Sequence, residues 1–299
     1  YGREKELDAL MASFARVSRG PAEFILVSGY SGIGKSSLFQ EIHLPIVEKR
    51  GYFISGKFDQ FNRNEPYYAL ILAFQEMIKH LLTESETQLL LWKQRLLKAL
   101  GENGQVIIEV IPEVELIIGR QPAVEDLDPT ASQNRFNLVF DNFIRALASK
   151  EHPLAIFIDD LQWADSSSLD LIKGIMTDHE LDYLLLMGAY RDNEVDRSHP
   201  LITTLAELNK AKVKVHSLTL TSLSPLHLDQ LIADTLQVQP TSVSDLSKLI
   251  MEKTNGNPFF VNEFLTNLYQ EDLLHFDAIL LTWIWNIKEI ESRDITGNV

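Results

Sequence analysis

Short, uninterrupted apolar runs alternate with longer segments of helical periodicity over the first two-thirds of the chain. Apolar residues spaced three and four apart predict helices, for example over Leu70–Leu82 and Phe136–Leu147. Strands that are apolar throughout and alternate with helices are typical of a parallel sheet covered on both faces. We therefore expect an α/β fold with a parallel five-stranded sheet flanked by helices. The five predicted strands are Phe24–Ser28, Tyr52–Gly56, Leu154–Ile158, Tyr183–Ala189 and Val213–Leu218.

The pattern changes near residue 222, beyond which helical periodicity dominates. Three helices are predicted there: Pro225–Leu236, Ser242–Lys253 and Pro258–Tyr269. The tryptophan-rich stretch Leu273–Ile287 then predicts a small β-hairpin or wing. We expect an α/β core over residues 1–222, followed over residues 223–299 by a helical lid and the start of a winged-helix-like segment.

The charge and cysteine content of the chain limit the partners and the chemistry that it can have. Of the 299 residues, 45% are hydrophobic and 23% charged, which is typical of a soluble globular chain. The formal charge of -15 repels phosphate backbones, so we expect no nucleic-acid partner. The chain has no cysteine, which excludes disulfides and thiol catalysis and agrees with a cytoplasmic location.

The chain carries no recognisable leader and no long apolar segment. The apolar runs are shorter than the roughly 20 residues that a membrane-spanning helix requires, so we expect no membrane insertion. The sequence starts at Tyr1 rather than at a methionine, and we expect it to be a piece of a longer protein.

The segment GYSGIGKSS, residues 29–37, follows the first predicted strand and leads into a helix. Its Gly-x4-Gly-Lys-Ser spacing matches the P-loop pattern, in which glycines let successive backbone N–H groups face phosphate oxygens. Lys35 would reach the β- and γ-phosphates, and the Ser36 hydroxyl would bind Mg²⁺. The residues expected to contact nucleotide are Gly29, Ser31, Gly32, Ile33, Gly34, Lys35, Ser36 and Ser37.

Two carboxylates follow the third predicted strand. Asp159 is placed to hold Mg²⁺ through its water shell, and Asp160 to polarise an attacking water. An apolar strand that ends in Asp-Asp is by itself common, and the interpretation depends on the P-loop upstream. Asp165 is interpreted as the cap of a helix beginning near Ser166, and Trp163 as a packing residue.

Further polar residues follow two other strands. Arg191, after the fourth strand, is placed to sense a γ-phosphate or attacking water, or else to pair with Asp192 or Glu194 on the surface. Lys57, Asp59 and Arg63 follow the second strand and could also face the site, although a solvated loop is the interpretation that we favour for each.

Together these motifs resemble the AAA-type ATPase domain of the STAND class, the signal-transduction NTPases with numerous domains. The segments that carry the resemblance are VSGYSGIGKSSL, FIDDLQWAD, GAYRDNEV and NGNPFFVNEFL. The version it looks closest to occurs in bacterial multisensor proteins, between a serine/threonine kinase domain and sensor and histidine kinase modules. The resemblance spans essentially the full chain.

The resemblance implies site residues and partners that spacing alone does not. It places Arg3, within Gly-Arg-Glu, and Pro258, within Gly-x-Pro, beside the adenine of ATP or ADP, and it makes Arg191 a sensor arginine. It also implies flanking kinase and sensor domains in the same polypeptide, and it leaves room for nucleotide-dependent self-association. Many AAA ATPases have Asp-Glu where this chain has Asp159-Asp160, so we expect slow hydrolysis.

Three other functions stay open at this level. A P-loop kinase acting on a small molecule would need an acceptor-binding motif, and we find none. A DNA-associated initiator or loader ATPase has a similar organisation but disagrees with the acidic charge. A scaffold that holds ADP without turnover would carry the same motifs.

Overall fold

The structure is a computed structural model that describes residues 1–61 and 65–292. Arg63 and residues 293–299 therefore lie outside the described residues. Five parallel strands form one sheet, as predicted, and the structure shows their order to be β2-β3-β4-β1-β5. The strands are β1 (Glu23–Ser28), β2 (Tyr52–Lys57), β3 (Leu154–Asp159), β4 (Leu184–Tyr190) and β5 (Val215–Thr219).

Helices connect and flank the strands. Those before the last strand are α1 (Glu4–Val17), α2 (Lys35–Glu48), α3 (Tyr68–Leu81), α4 (Glu86–Leu100), α5 (Gly104–Val110), α6 (Glu115–Ile118), α7 (Pro129–Leu147), α8 (Ser166–Thr177) and α9 (Pro200–Lys210). The later ones are α10 (Pro225–Leu236), α11 (Ser244–Thr254), α12 (Pro258–Gln270) and α13 (Ile287–Ser292). The α2 helix is not broken at Pro45; it continues to Glu48.

Burial along the strands follows their place in the sheet. The inner strands β1 and β3 are buried at every position, whereas the edge strands β2 and β5 include exposed positions. An inner strand is covered on both faces, and this is why its sequence is apolar throughout. The α/β class predicted from these runs is confirmed.

The described residues divide into two compact units. The first, the phosphate-loop unit, comprises Tyr1–Leu7, Gly29–Leu38 and the chain from Thr219 onward. The second, the sheet unit, comprises Asp8–Ser28 and Phe39–Leu218. The domain boundary near residue 222 stays a prediction.

Each unit has its own apolar core. In the sheet unit, Phe39 stacks on Phe157 with ring centroids 3.9 Å apart, and Phe74 packs edge-on against Phe140. In the phosphate-loop unit, helices α10, α11 and α12 bury one another's apolar faces, with Ile232, Ile250 and Leu268 fully buried. The predicted hairpin is present as antiparallel strands β6 (Leu274–Asp277) and β7 (Thr282–Trp285). Over the described parts of the chain, the helices are all too short or too polar to cross a membrane.

Candidate nucleotide-binding site

The glycine loop has the strand–loop–helix context that its sequence predicts. It begins at Gly29, directly after β1, and α2 begins at Lys35. Gly32 and Gly34 have φ angles of 74° and 95°, in a region where residues with a Cβ are strained. A Cβ on Gly34 would meet no atom within 4 Å, so this part of the loop borders open space.

Three consecutive carbonyl oxygens of the loop accept hydrogen bonds from other parts of the phosphate-loop unit. Asn257 Nδ2 donates to Ser31 O at 2.9 Å, and the Phe259 N–H donates to Gly32 O at 3.2 Å. Arg3 Nη2 donates to Ile33 O at 3.2 Å. These carbonyls are therefore directed towards Arg3 and the start of α12.

The direction of the carbonyls fixes the direction of the following N–H groups. The described peptide bonds are all trans, and in a trans peptide the C=O of one residue points opposite to the N–H of the next. The N–H groups of Gly32 and Gly34 therefore point away from the side that Asn257 and Arg3 occupy. Backbone N–H groups arranged in this way form a concave cradle for an anion, and the cradle suits the phosphates of a nucleotide.

Lys35 and Ser36 lie in the first turn of α2. The Lys35 side chain is buried, and its ammonium donates to Gly29 O at 2.6 Å and to Tyr30 O at 2.8 Å. Its charge is thus held within the loop, beside the N-terminus of a helix whose dipole also favours anions. The hydroxyl of Ser36 is a hard oxygen donor of the kind that Mg²⁺ prefers.

Arg3 contacts the backbone at two points of the same unit. Besides Ile33 O, its Nη2 donates to Thr221 O at 2.6 Å, and burial lowers the pKa of its guanidinium. Pro258 occupies the first position of α12, where its missing N–H costs no helical hydrogen bond. The predicted contact of Arg3 and Pro258 with a nucleotide base stays a prediction.

The acidic pair lies in the sheet unit, at the end of β3. Asp159 is the last residue of the strand, and its Oδ1 accepts the N–H of Asp160 at 2.9 Å. Asp160 adopts a left-handed conformation, with φ 53°. Left-handed backbone is uncommon outside glycine and costs roughly 1–3 kcal/mol, so the surrounding contacts must hold it there. The Asp159 carboxylate is a hard oxygen donor and fits Mg²⁺.

Asp160 is 4% exposed, and three side chains contact its carboxylate. Lys57 Nζ lies 3.0 Å from Oδ2, while Gln162 Nε2 donates to Oδ1 at 2.8 Å and Arg191 Nε lies 3.4 Å from the same oxygen. The hydrogen bond to Asp160 raises the pKa of Lys57. These three contacts fix the position of the Asp160 carboxylate.

Arg191 makes the surface pair that was one of the two sequence alternatives, and its role as a sensor of the γ-phosphate stays a prediction. Its Nη1 pairs with Glu194 at 2.7 Å, as in the surface interpretation, and its guanidinium also contacts Asp160. It lies over the Trp163 ring, 4.9 Å from the centroid, in a cation–π arrangement. Trp163, interpreted from sequence as a packing residue, therefore holds the arginine as well.

Three residues that support Asp160 and Arg191 were not predicted from the sequence: Lys57, Gln162 and His199. Lys57 is the last residue of β2 rather than part of a loop, and its side chain reaches Asp160 although it is 63% exposed. Gln162 Oε1 accepts the Arg191 N–H at 3.1 Å, so one amide bridges the ends of β3 and β4.

The ring of His199 supports Gln162 from a third element. Its Nδ1 accepts the Leu201 N–H and caps α9, so the proton lies on Nε2, which donates to Gln162 O at 3.1 Å. The one sequence signal for this support was a histidine directly before a helix-starting proline.

Asp165 caps α8 by accepting the Ser168 N–H at 2.8 Å, as predicted.

Comparison with known proteins identifies the family. A profile of the AAA ATPase domain matches residues 1–187. The chain belongs to this family. It is 33% identical over its full length to hybrid signal transduction histidine kinase G of Dictyostelium discoideum, and it spans 10% of that protein. It is 21% identical over 90% of its length to peroxide stress-activated histidine kinase mak3 of Schizosaccharomyces pombe, of which it spans 13%.

A solved structure agrees with the fold. Cdc6p from Pyrobaculum aerophilum superposes with a TM-score of 0.52, covering 91% of this chain and 63% of that one, at 10% sequence identity. At this identity the likeness establishes the P-loop α/β fold and does not extend to activity. The chain is a small part of each curated relative, and those relatives are eukaryotic.

Proposed function

We propose that this AAA ATPase domain binds ATP, hydrolyses it slowly and acts as a nucleotide-dependent switch in a larger signalling protein. The observation that carries the proposal is the glycine loop, with its outward carbonyls, buried lysine and following helix. This loop provides backbone N–H donors for a polyphosphate without rearrangement of the backbone, and Lys35 supplies positive charge beside them.

In the proposal, the loop residues Gly29–Ser37 contact the phosphates. Lys35 moves its ammonium from the loop carbonyls to the β- and γ-phosphates, because a phosphate anion is the stronger acceptor. Ser36 and Asp159 would hold Mg²⁺, which when bound neutralises charge on the phosphates. Arg3 and Pro258 are proposed to lie near the adenine.

Asp160 is proposed to polarise the attacking water, and Arg191 to sense the γ-phosphate. The carboxylate of Asp160 already accepts from Gln162 and pairs with Lys57 and Arg191. Both oxygens of Asp160 therefore already have partners with which an attacking water must compete, and aspartate has a shorter reach than glutamate. Both features support slow turnover.

A switch requires that ATP and ADP favour different arrangements of the protein. A nucleotide can shift a conformational equilibrium only by its difference in affinity for the two arrangements. The proposed contacts with the γ-phosphate, from Lys35 and Arg191, are made by ATP and not by ADP. The γ-phosphate is therefore the proposed source of that difference.

The biological setting is inferred from the relatives and from the STAND resemblance. Two relatives are histidine kinases of which this chain is a minor part, which supports flanking kinase and sensor domains in the same polypeptide. A cytoplasmic location and nucleotide-dependent self-association belong to the same proposal. Because the named relatives are eukaryotic, the bacterial setting receives no support from them.

Steady-state hydrolysis of ATP without any added acceptor tests the proposal. We expect slow phosphate release by the wild-type chain, loss of it in Lys35→Ala, and no change in Lys248→Ala, which removes an exposed lysine of α11. Tightly bound ADP without turnover would instead indicate a scaffold. A DNA affinity that falls steeply with salt would indicate a loader-type ATPase.

A further inference from the structure

Asn257 uses both ends of its side-chain amide. Its Oδ1 accepts the Phe259 N–H at 3.1 Å, which caps α12, and its Nδ2 donates to Ser31 O at 2.9 Å. The orientation of the amide is fixed chemically, since a backbone N–H must face the oxygen and a backbone carbonyl must face the nitrogen. The residue is 9% exposed, so neither bond competes strongly with water.

The turn before α12 holds Asn257 in place. Asn255 and Gly256 both have positive φ, and the Gly256 N–H donates to Thr254 Oγ1 at 3.2 Å. The Leu223 N–H donates to Gly256 O at 2.9 Å. With its backbone fixed on both sides, the amide loses little conformational entropy when it bonds to the loop.

The glycine loop and the turn before α12 pack so closely at Gly32 that there is no room for a side chain there. A Cβ on Gly32 would lie 2.7 Å from Phe259 Cβ and 2.9 Å from Asn257 Oδ1. The Phe259 N–H is shared between Asn257 Oδ1 and Gly32 O, so two adjacent loop carbonyls are held by one turn. The absence of a side chain at position 32 is thus explained by the turn as well as by the φ angle.

We propose that Asn257 is a positioning residue that holds the phosphate loop in its anion-binding shape. It acts through the Ser31 carbonyl: with this oxygen held on the outer side, the following N–H of Gly32 is directed to the opposite side, where a phosphate would bind. The inference rests on the proposed function, because it assigns to Asn257 the pre-organisation of the site that binds the nucleotide.

A capping role alone would explain the residue equally well, and Asn257→Asp separates the two. Aspartate caps helices as well as asparagine does. It lacks the amide donor, however, and brings a carboxylate oxygen against the Ser31 carbonyl. Asn257→Ser is the uncharged companion variant, with a capping oxygen but too little length for the bond to Ser31. Ser224→Ala is the matched control, since it removes the cap of α10 and no bond to the loop.

Two measurements are made on each folded variant. The first is amide hydrogen exchange of residues 29–38 in nucleotide-free protein. The second is the affinity for inorganic tripolyphosphate and for ATP, both with Mg²⁺. Tripolyphosphate has no base, so it reports on the loop without any contact that Pro258 or Arg3 makes to adenine. Melting by circular dichroism identifies any variant that does not fold.

We expect Asn257→Asp to speed exchange over residues 29–38 and to weaken both ligands by the same factor, about tenfold. Asn257→Ser should shift both in the same direction by less, and Ser224→Ala should leave both unchanged. Unchanged exchange and affinity in Asn257→Asp would overturn the inference, as would weakening of ATP alone. If the wild-type chain binds neither ligand, the proposed function fails, and the exchange data still decide whether Asn257 holds the loop.

Discussion

Lys57 Nζ lies 3.0 Å from Asp160 Oδ2, which joins the last residue of β2 to the acid that follows β3. The two strands pair in parallel with Lys57 opposite Asp159, so the neighbouring acid is the one within reach of the ammonium. In the proposed reaction this is the carboxylate that polarises the attacking water. The pair therefore bears directly on the rate of hydrolysis.

Removing the ammonium of Lys57 should make Asp160 Oδ2 available to the attacking water. In Lys57→Met, Asp160 Oδ1 keeps its contacts with Gln162 and Arg191, and Oδ2 loses its ammonium partner, so an attacking water no longer competes with Lys57 for that oxygen. We expect the ATPase kcat to rise about two- to tenfold, in line with a proton-transfer contribution of modest size. Lys79→Met, which removes an exposed pair with Glu76, is the control. A fall in kcat would show that the ion pair assists the reaction.

Asp160→Asn should separate binding from turnover. The amide preserves the size of the side chain and cannot take a proton, so we expect kcat to fall by about 100-fold or more. The affinity for ATP should change by less than threefold, a bound on the order of 0.6 kcal/mol. Asp170→Asn removes an exposed acid paired with Lys173 and serves as the control. Turnover that survives in Asp160→Asn would remove this residue from the proposed chemistry.

Gly32→Ala and Gly174→Ala should have opposite effects. At position 32 the new Cβ meets Phe259 at 2.7 Å in a backbone with φ 74°, and such strain costs on the order of 1–3 kcal/mol. Position 174 lies within α8 with no atom within 4 Å of the added Cβ, so alanine should stabilise by about 0.5–1 kcal/mol.

Chemical denaturation and ATP titration of both glycine variants check these signs. ATP affinity should fall at least tenfold in Gly32→Ala and stay unchanged in Gly174→Ala. Equal behaviour of the two variants would mean that the phosphate loop adapts freely, and it would count against a pre-shaped cradle.

The Arg16–Glu23 pair makes the free energy of unfolding depend on pH. Arg16 Nε and Nη2 bond the two Glu23 oxygens at 2.6 and 2.7 Å. Burial raises the pKa of Glu23, but the hydrogen bonds and charge of Arg16, together with Ser13 and His216, lower it by more, so the net pKa lies below its ordinary value. A carboxyl with a lowered pKa contributes stability above its unfolded pKa of about 4.3 and loses it as pH falls through the folded pKa.

Glu23→Gln should accordingly cost about 1–2 kcal/mol at pH 7, because a charge-assisted pair becomes a neutral bond to a partly exposed arginine. The difference from wild type should shrink as pH falls below about 4. Denaturation at pH 7, 5 and 3 measures it, with Glu263→Gln, exposed on α12, for comparison. A difference that does not depend on pH would mean that the loss comes from packing.

The central strands were predictable because burial on both faces leaves a continuous apolar run. Leu154–Asp159 and Leu184–Tyr190 each begin within a residue of the predicted start and extend one residue beyond its predicted end. The sequence favours a solvated loop for Lys57 because the partner of this lysine is fixed by strand order, which a single sequence does not reveal. The pairing of Lys57 with Asp160 requires β2 to lie beside β3, with about a hundred residues between them in the chain.

The phosphate loop was predictable for a different reason. Its proposed function depends on backbone N–H groups, and the glycines that allow this backbone are visible in the sequence. The hydrogen bond from Asn257 to Ser31 was not, since it joins positions 226 apart, and the Asn-Pro step is explained locally by the start of α12. A site formed by one continuous segment can be predicted from the sequence, whereas hydrogen bonds from distant segments depend on the fold.

Calorimetric titration of ATP with Mg²⁺ into the wild-type chain and into Lys35→Ala tests the central claim most directly. In the proposed function, the phosphate loop holds the nucleotide, with the buried ammonium of Lys35 as its main charge. We predict one site per chain in the wild type and an affinity at least tenfold weaker in Lys35→Ala, about 1.4 kcal/mol or more. Equal affinity in the two proteins, or no binding by the wild type, would contradict the claim.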